Sequence, residues 1–261
     1  MFAVHANGQS LYTLAGPVGL EESLPLKWFF NLAGGYDDNV NASNYNKQES
    51  AFISTDIGCS LANYDAVTQY SFSAKLGGIF YLKDLDGGTN EALSNSTLSA
   101  KLSHSFDQTL RYNGSVSFAW QPEPNYSNGI ANARRDGDYI YVYVSSSVSK
   151  AWTSRYSTTL GANFSMIDYQ EDSAKTDNRD YVGMNFTNRY KWTERLAVSL
   201  GWTGSYCNRE YGNNEFSNFV MAGAEYAVAQ NTSATLRVGP QFKHVDNYGT
   251  KTYPSAEFGL N

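Results

Sequence analysis

The residues that could carry catalysis are few in this sequence. The chain has three histidines, and a histidine acts in hydrolysis beside a hydroxyl or a carboxylate that it can activate or that orients it. His104 is followed two residues later by Phe106 and so lacks a serine partner at that spacing, whereas His244 and Asp246 lie two residues apart. His5 lies near the N-terminus, in residues that we interpret as the remnant of an export signal, and is therefore not counted as a metal ligand. Two histidines remain, and we predict no histidine-based metal site. We therefore predict that the protein is not an enzyme, with His244 as the residue to test, and that it needs no cofactor or metal.

Charged residues form a clearer pattern. Within runs that alternate apolar and polar residues, Lys and Arg recur on the polar side of the alternation. They are Lys27, Lys75, Lys101, Arg111, Arg155, Arg189, Lys191, Arg195, Arg237 and Lys243. Only Asp56, Glu225 and Glu257 clearly share that side as acids, with Asp37 at the rim. If this side lines a lumen, its positive charge favours anionic solutes. Alternatively, carboxylates of the acidic loops fold inwards and cancel the field.

The same polar side carries Tyr139, Tyr141 and Tyr143 on one run, together with many Ser and Gly residues. Small side chains leave space for water, whereas a sealed eight-stranded barrel fills its interior with side chains. The three tyrosines have two interpretations. They brace the wall, or they form an aromatic ladder along which sugars stack.

The elements that position these residues are predicted from the alternation itself, because a period of two places every second side chain on one face of a sheet. We count about twelve such runs of roughly 9–17 residues between Leu24 and the C-terminus. The breaks are alternately short and long. Short turns are predicted near Tyr64-Asp65, Asp107-Gln108, Lys150–Ser154, Thr193-Glu194 and Gln230-Asn231, and longer loops at Asp38–Glu49, Lys83–Asn90, Pro122–Asp138, Gln170–Arg179, Asn208–Asn214 and Asp246–Lys251. The prediction is an all-β fold, a transmembrane antiparallel up-and-down β-barrel with short periplasmic turns and longer extracellular loops.

The apolar side of the runs supports a lipid environment. It contains no Lys, Arg, Asp or Glu, and a Lys or Arg near the bilayer midplane costs about 2–4 kcal/mol. Aromatic residues gather at both ends of the runs, for example Trp28 and Trp192 at the short-turn end and Trp120 and Trp202 at the long-loop end. Aliphatic residues such as Val116 occupy the middle. A soluble barrel would place its charged residues on the outside.

Composition excludes other classes. The mean hydropathy of −0.46 excludes a helical membrane protein, and no run approaches the roughly 18 apolar residues of a spanning helix. The net charge of −6 argues against nucleic acid as a partner. Cys59 and Cys207 fall on opposite sides of the alternation in distant strands, so we expect no disulfide between them.

The chain is predicted to divide into residues 1–23 and a barrel over residues 24–261. Ala3-Val4-His5-Ala6 has the small residues of a signal-peptidase site, so residues 1–6 are interpreted as the remnant of an export signal. Residues 7–23 are interpreted as a short segment that is periplasmic or that lies in the lumen as a plug.

The stretch Gly34-Gly35-Tyr36-Asp37-Asp38-Asn39-Val40-Asn41, which closes the first strand, resembles the opening of the beta-barrel porins of Gram-negative outer membranes. The resemblance covers the whole chain in layout. It implies an outer-membrane location, contact with membrane lipid and lipopolysaccharide, and insertion by the barrel assembly machinery. Such barrels usually end in an aromatic residue, whereas this chain ends Phe258-Gly259-Leu260-Asn261. Either Phe258 serves in that role or a few residues are missing from the end.

The functional hypothesis is a porin-like channel for passive diffusion of small hydrophilic solutes, with a preference for anions. The expected pore-lining residues are Lys75, Lys101, Arg111, Arg155, Arg189, Lys191, Arg237, Lys243, Asp56, Glu225, Tyr139, Tyr141 and Tyr143. The alternative is a non-conducting barrel that acts as a structural or adhesive surface protein through its extracellular loops.

Overall fold

A computed structural model of the protein describes residues 26–40, 47–83, 92–121, 138–170, 178–229 and 232–260. The strands are β1 (Leu26–Asp37), β2 (Ser50–Tyr64), β3 (Thr68–Tyr81), β4 (Ala92–Ser94), β5 (Ser96–Ser105), β6 (Leu110–Gln121), β7 (Tyr139–Ala151), β8 (Tyr156–Tyr169), β9 (Arg179–Lys191), β10 (Leu196–Arg209), β11 (Glu215–Ala229), β12 (Thr232–Val245) and β13 (Gly249–Leu260). Over these residues no helix is long and apolar enough to span a bilayer. The predicted N-terminal segment, residues 1–23, lies outside the described residues.

The strands form a single antiparallel sheet in which each strand pairs with its neighbours in sequence. The path runs from β1 to β13, and the described residues include no pairing between these two end strands. This is the up-and-down meander that the alternation predicts, and the all-β prediction is confirmed.

β4 and β5 are two parts of one strand. Gly78 pairs with Ser94 of β4 and Lys75 pairs with Thr97 of β5, and both pairs belong to one continuous register. Between them, the Asn95 amide still donates to the Gly77 carbonyl at 2.9 Å. The thirteen segments therefore make twelve strands along the path, in agreement with the predicted number.

The two faces of the sheet differ as predicted. On one face, which we call the outer face, apolar side chains are exposed, such as Ile57 (55%), Leu160 (52%) and Leu200 (57%). Charges occur on the outer face of the described strands only near strand ends, at Lys150, Asp168 and Asp180. Residues of the opposite face, the inner face, are more often half-buried. Along β11, exposed outer-face residues and half-buried inner-face residues alternate from Val220 to Val228.

Short turns close one end of the sheet with a recurring hydrogen-bond pattern. Thr153 and Thr193 each accept, through the side-chain oxygen, from the backbone amides two and three residues later. Asp107 does the same for Thr109 and Leu110 at 2.6 and 2.8 Å. Such side chains imitate the backbone of a turn and fix where the next strand begins. Four of the five predicted short turns fall between described strands, and Gln230-Asn231 lies outside the described residues.

One predicted loop is wrong. Asp246–Lys251 was expected to be a longer loop, but only Asp246, Asn247 and Tyr248 separate β12 from β13. Asn247 and Gly249 adopt left-handed backbone conformations (φ 68° and 76°), which Asn and Gly tolerate better than other residues. This allows the chain to reverse in a tight hairpin, so both strands extend further than the apolar pattern indicated.

Candidate pore lumen

The inner face collects almost all of the predicted pore-lining residues. Those that lie on inner-face positions of strands are Asp56, Lys75, Lys101, Arg111, Tyr139, Tyr141, Tyr143, Arg189, Lys191, Glu225, Arg237 and Lys243. Arg155 differs, because it lies in the short turn directly before β8. A shared face does not decide which charged side chains are in contact. The side-chain contacts separate the cations that form ion pairs from those that do not, and Lys75 bonds a neutral amide.

The first group forms ion pairs on one half of the sheet, between β9 and β13. Arg237 lies directly opposite Glu257, with 3.8 Å between nitrogen and oxygen, and Lys243 lies 2.9 Å from Glu215. Sequence reasoning missed Glu215 because it began this strand at Val220; the parity that Glu215 shares with Glu225 was the available signal. Glu215 therefore cancels a positive charge that the sequence pattern left unopposed.

The third ion pair crosses an intervening strand. Arg189 of β9 contacts Glu225 of β11 through both Nε and Nη2 at 3.1 Å. The strand between them, β10, presents only the small side chains Ala197 and Ser199 at these register positions. Ala197 is 4% exposed, as expected if the ion pair lies over it. All three pairs are partly exposed to solvent, so each contributes at most about 1 kcal/mol to stability.

Neutral amides accompany two further charges. The Lys75 ammonium donates to the Asn95 side-chain oxygen at 2.8 Å, at the point where β4 and β5 meet. Asp56 accepts from the Asn31 amide at 3.1 Å on the adjacent strand β1. These contacts hold the side chains close to the wall without cancelling their charges.

The second group of cations has no ion pair with any described residue: Lys101, Arg111, Arg155 and Lys191. Arg111 donates only to the Ser105 hydroxyl at 3.3 Å. In addition, the inner face of β3 and of β5 to β8 bears no Asp or Glu in its described positions. Positive charge without an ion pair is therefore present on this half of the sheet and at the short-turn end.

The tyrosine ladder has two different environments. Tyr139 is 1% exposed and packs against Ile167 and Tyr169, whose ring centroid is 6.0 Å away. Tyr141 packs on the edge of this cluster, at the long-loop end of β7 and β8. Tyr143, further down the strand, borders an open cavity. Tyr139 thus has the packing of a wall residue, Tyr141 is half-buried at the edge of its cluster, and Tyr143 presents a surface to the cavity.

This cavity lies against the inner face of β3 and of β5 to β9 and has a volume of about 640 Å³. The strand registers arrange twelve inner-face residues in two adjacent rows across these strands, and all of them except Gly183 line the cavity, together with Tyr64, Tyr70, Leu102 and Tyr143. The first row is Ser71, Lys101, Ser115, Ser145, Asn163 and Gly183, and the second is Gln69, Ser103, Asn113, Ser147, Gly161 and Asn185. The rows contain one charge, Lys101, and no apolar side chain larger than glycine's hydrogen. We call these two rows the hydroxyl-amide wall.

Two glycines keep this wall thin. Gly161 lies opposite Asn185, and a Cβ at Gly161 would collide with the Asn185 side-chain oxygen. Gly183 lies opposite Asn163 and is covered in the same way by the Asn163 oxygen. Each asparagine can therefore lie across its partner glycine instead of being pushed into the cavity.

The two described histidines do not form a hydrolytic site. His244 Nε2 lies 3.9 Å from Asp246, and its Nδ1 lies 2.9 Å from the Thr250 hydroxyl on an exposed hairpin. His104 Nδ1 lies 2.8 Å from the Thr68 hydroxyl on the outer face. No three His, Cys, Asp or Glu side chains cluster as metal ligands within the described ranges. Cys59 and Cys207 are both free thiols.

No family model and no curated protein matches the sequence. Among solved structures, the chain is similar to the outer membrane channel DcaP of Acinetobacter baumannii, with 11% identity, a TM-score of 0.50, and coverage of 99% of this chain and 82% of that one. The chain has the fold of an outer-membrane β-barrel. The fold and the charge-free band of the outer face agree on an outer-membrane location.

Two further structures align with the barrel over most of its length. An outer membrane channel from Pseudomonas putida F1 has 13% identity and a TM-score of 0.44, over 94% of this chain and 97% of that one. The toluene transporter TodX of P. putida has 8% identity and a TM-score of 0.37, over 92% and 78%. At these identities the likeness concerns the fold, so the solute must be argued from the lumen residues of this barrel.

Proposed function

We propose that the barrel is a channel for passive diffusion of small hydrophilic solutes and that it prefers anions. A channel role of this general kind agrees with the outer membrane channel that shares its fold. The lumen residues support the preference for anions. The proposal assigns no catalytic role to any residue.

One observation carries the anion preference. Along the inner face of β3 and of β5 to β8, Lys75, Lys101 and Arg111 share these strands with no acid in the described positions, and Asp56 lies on the adjacent strand β2, opposite Gly77. Between β9 and β13, three inner-face acids each pair with a cation, and four further cations of that face have no ion pair with a described residue: Arg179, Lys191, Arg209 and Lys251. Positive charge in a narrow low-dielectric passage raises the local concentration of anions. The inner face of the described strands therefore bears more cations than acids.

The experiment is a planar-bilayer recording of the purified barrel across a KCl gradient. We expect stepwise conductance and a reversal potential displaced towards the chloride equilibrium potential. A reversal potential on the potassium side would contradict the anion preference. The absence of conductance above that of the lipid would contradict the channel proposal and favour a structural or adhesive surface barrel.

The proposal also implies partners and a chain organisation. Membrane lipid and lipopolysaccharide would contact the outer face, and the barrel assembly machinery would insert the chain. Residues 1–23 would form a periplasmic or luminal segment before the barrel. Protease protection of that segment in intact outer membranes, compared with detergent-solubilised protein, would distinguish a luminal from a periplasmic position.

A further inference from the structure

The hydroxyl-amide wall has hydrogen-bonding groups that the rest of the described protein leaves unused. Asn113, Asn163, Asn185 and Gln69 form no hydrogen bond with another described side chain or backbone group, and neither does the Lys101 ammonium. By contrast, Ser115 and Ser145 bond to each other at 2.7 Å, which orients one hydroxyl pair within the wall. Carboxamides supply both donors and acceptors, whereas ammonium supplies donors only. The cavity is therefore lined by many neutral hydrogen-bonding groups around one cation.

The charge distribution in the wall selects the kind of solute. Lys101 lies in the first row between Ser71 and Ser115, and no carboxylate occupies any of the twelve positions. A carboxylate on a solute would gain a charge-assisted hydrogen bond from Lys101, which is stronger than a bond between neutral groups. A solute with two anionic groups would find no second cation within the two rows. The wall thus matches a single negative charge.

The remainder of the wall selects for hydroxyl groups. Ser hydroxyls and Asn or Gln amides can donate to and accept from a polyol. The cavity also exposes the rings of Tyr64 and Tyr143 beside these groups. A volume of about 640 Å³ lies within the usual range for small-molecule sites and can hold a six-carbon solute with water. The cavity is open to the lumen, so binding would be weak enough for the solute to leave, as passage through a channel requires.

We propose that the hydroxyl-amide wall is a solute-binding site for small polyhydroxylated monocarboxylates, the chemical class of the sugar acids. Lys101 pairs with the carboxylate, and the Ser and Asn side chains exchange hydrogen bonds with the hydroxyl groups. This inference rests on the proposed channel function and names a substrate class for the same lumen. It adds a defined place of binding to a general preference for anions.

Single-channel recording with gluconate as the probe tests the solute class. Sodium acetate carries the carboxylate without a polyol, and glucose carries hydroxyl groups without charge, so both serve as matched solutes. We expect gluconate to interrupt the chloride current at concentrations where acetate and glucose do not. Equal block by acetate, equal block by glucose, or no block by gluconate in a conducting channel would each overturn the proposal.

Two lysine variants test the position of the site. Lys101→Gln removes the cation of the wall, and we expect about a tenfold higher gluconate concentration for half-block, because hydrogen bonds to charged groups are worth more than neutral ones. Lys75→Gln is the matched control, since it removes the same charge from the adjacent strand but at an ammonium that already bonds Asn95 outside the cavity. An equal effect of both variants would show a general charge effect and overturn the site.

The two proposals fail in different ways. If wild-type protein inserts and carries no current, the channel function fails before the solute is considered. If wild type conducts and both variants insert with the circular-dichroism spectrum of wild type, the channel stands and the variants are folded, although each has lost one charge of the lumen. In that background, a half-block concentration of gluconate that does not change in Lys101→Gln contradicts the binding site alone.

Discussion

A charge on the outer face provides the most direct test of the barrel orientation. Ile57 is the central residue of β2 (Ser50–Tyr64) and is 55% exposed on the outer face. Its cross-strand partners there are Phe30 and Leu76, which are 53% and 68% exposed. Ile57→Arg would therefore place a guanidinium in the middle of a continuous apolar band. Ser54→Arg, three residues away on the inner face and two residues from Asp56, is the matched control.

The expected cost follows from two contributions. An Arg on the lipid face near the midplane of an outer-membrane barrel costs about 2–4 kcal/mol. Ile57 also loses its own lipid contact, worth about 1 kcal/mol, because complete removal of an Ile side chain from water is worth about 1.5–3 kcal/mol and roughly half of this side chain faces lipid. We expect Ile57→Arg to lower the free energy of unfolding by about 3–5 kcal/mol. Ser54→Arg should change it by less than about 1 kcal/mol, since the new charge meets water and a carboxylate.

The assay is reversible guanidinium unfolding of the barrel in phospholipid vesicles, followed by the fluorescence of its five Trp residues. Conductance and vesicle insertion of each variant confirm that the folded state is reached before unfolding is measured. Equal destabilisation by both substitutions, or a cost below about 1 kcal/mol for Ile57→Arg, would refute the assignment of this face to lipid.

Two further predictions concern single charged groups. The pKa of Asp107 is lowered to about 2 by the Thr109 hydroxyl, the Thr109 and Leu110 amides and nearby Lys150. Because the pKa is lowered in the folded state, the ionised carboxylate stabilises the turn above about pH 4, and this stability is lost as the pH falls through about 2. Carboxyl NMR titration of wild type and of Thr109→Val should show a higher Asp107 pKa in the variant. Glu225→Gln frees Arg189 from its ion pair. A unit charge about 10 Å from an ion in water contributes about 0.4 kcal/mol, in favour of chloride and against potassium, so the chloride-to-potassium permeability ratio from reversal potentials should rise roughly fourfold. An unchanged Asp107 titration, or a fall in the permeability ratio, would contradict the respective assignment.

The faces of the sheet could be predicted from the sequence because they depend only on the position of a residue along its own strand. Ile57 and Leu200 were assigned to lipid, and Lys101 and Tyr143 to the inner face, without knowledge of any neighbour. Turn positions such as Asp107 were predictable for the same reason, since their hydrogen bonds join residues two or three apart. The tight hairpin at Asn247 was missed because its left-handed backbone allows a reversal that the apolar pattern does not show.

Side-chain partners could not be predicted in the same way. Arg189 meets Glu225 across a whole strand, over a separation of 36 residues, and only because Ala197 and Ser199 between them are small. Lys243 meets Glu215 diagonally across the β11–β12 pairing, in which Lys243 lies opposite Ser217. A shift in register would pair these cations differently while leaving the alternation unchanged.

The sequence by itself determined the environment of this protein, because a period of two needs no tertiary contact to separate an apolar, charge-free face from a polar one. It also determined the excess of cations over acids on the polar face. Only the tertiary structure decided which of those cations keep an uncompensated charge, since pairing between strands brings together residues that are far apart in sequence. The same pairing aligned Ser71, Lys101, Ser115, Ser145 and Asn163 in one row, and so turned scattered polar residues into the wall of a cavity.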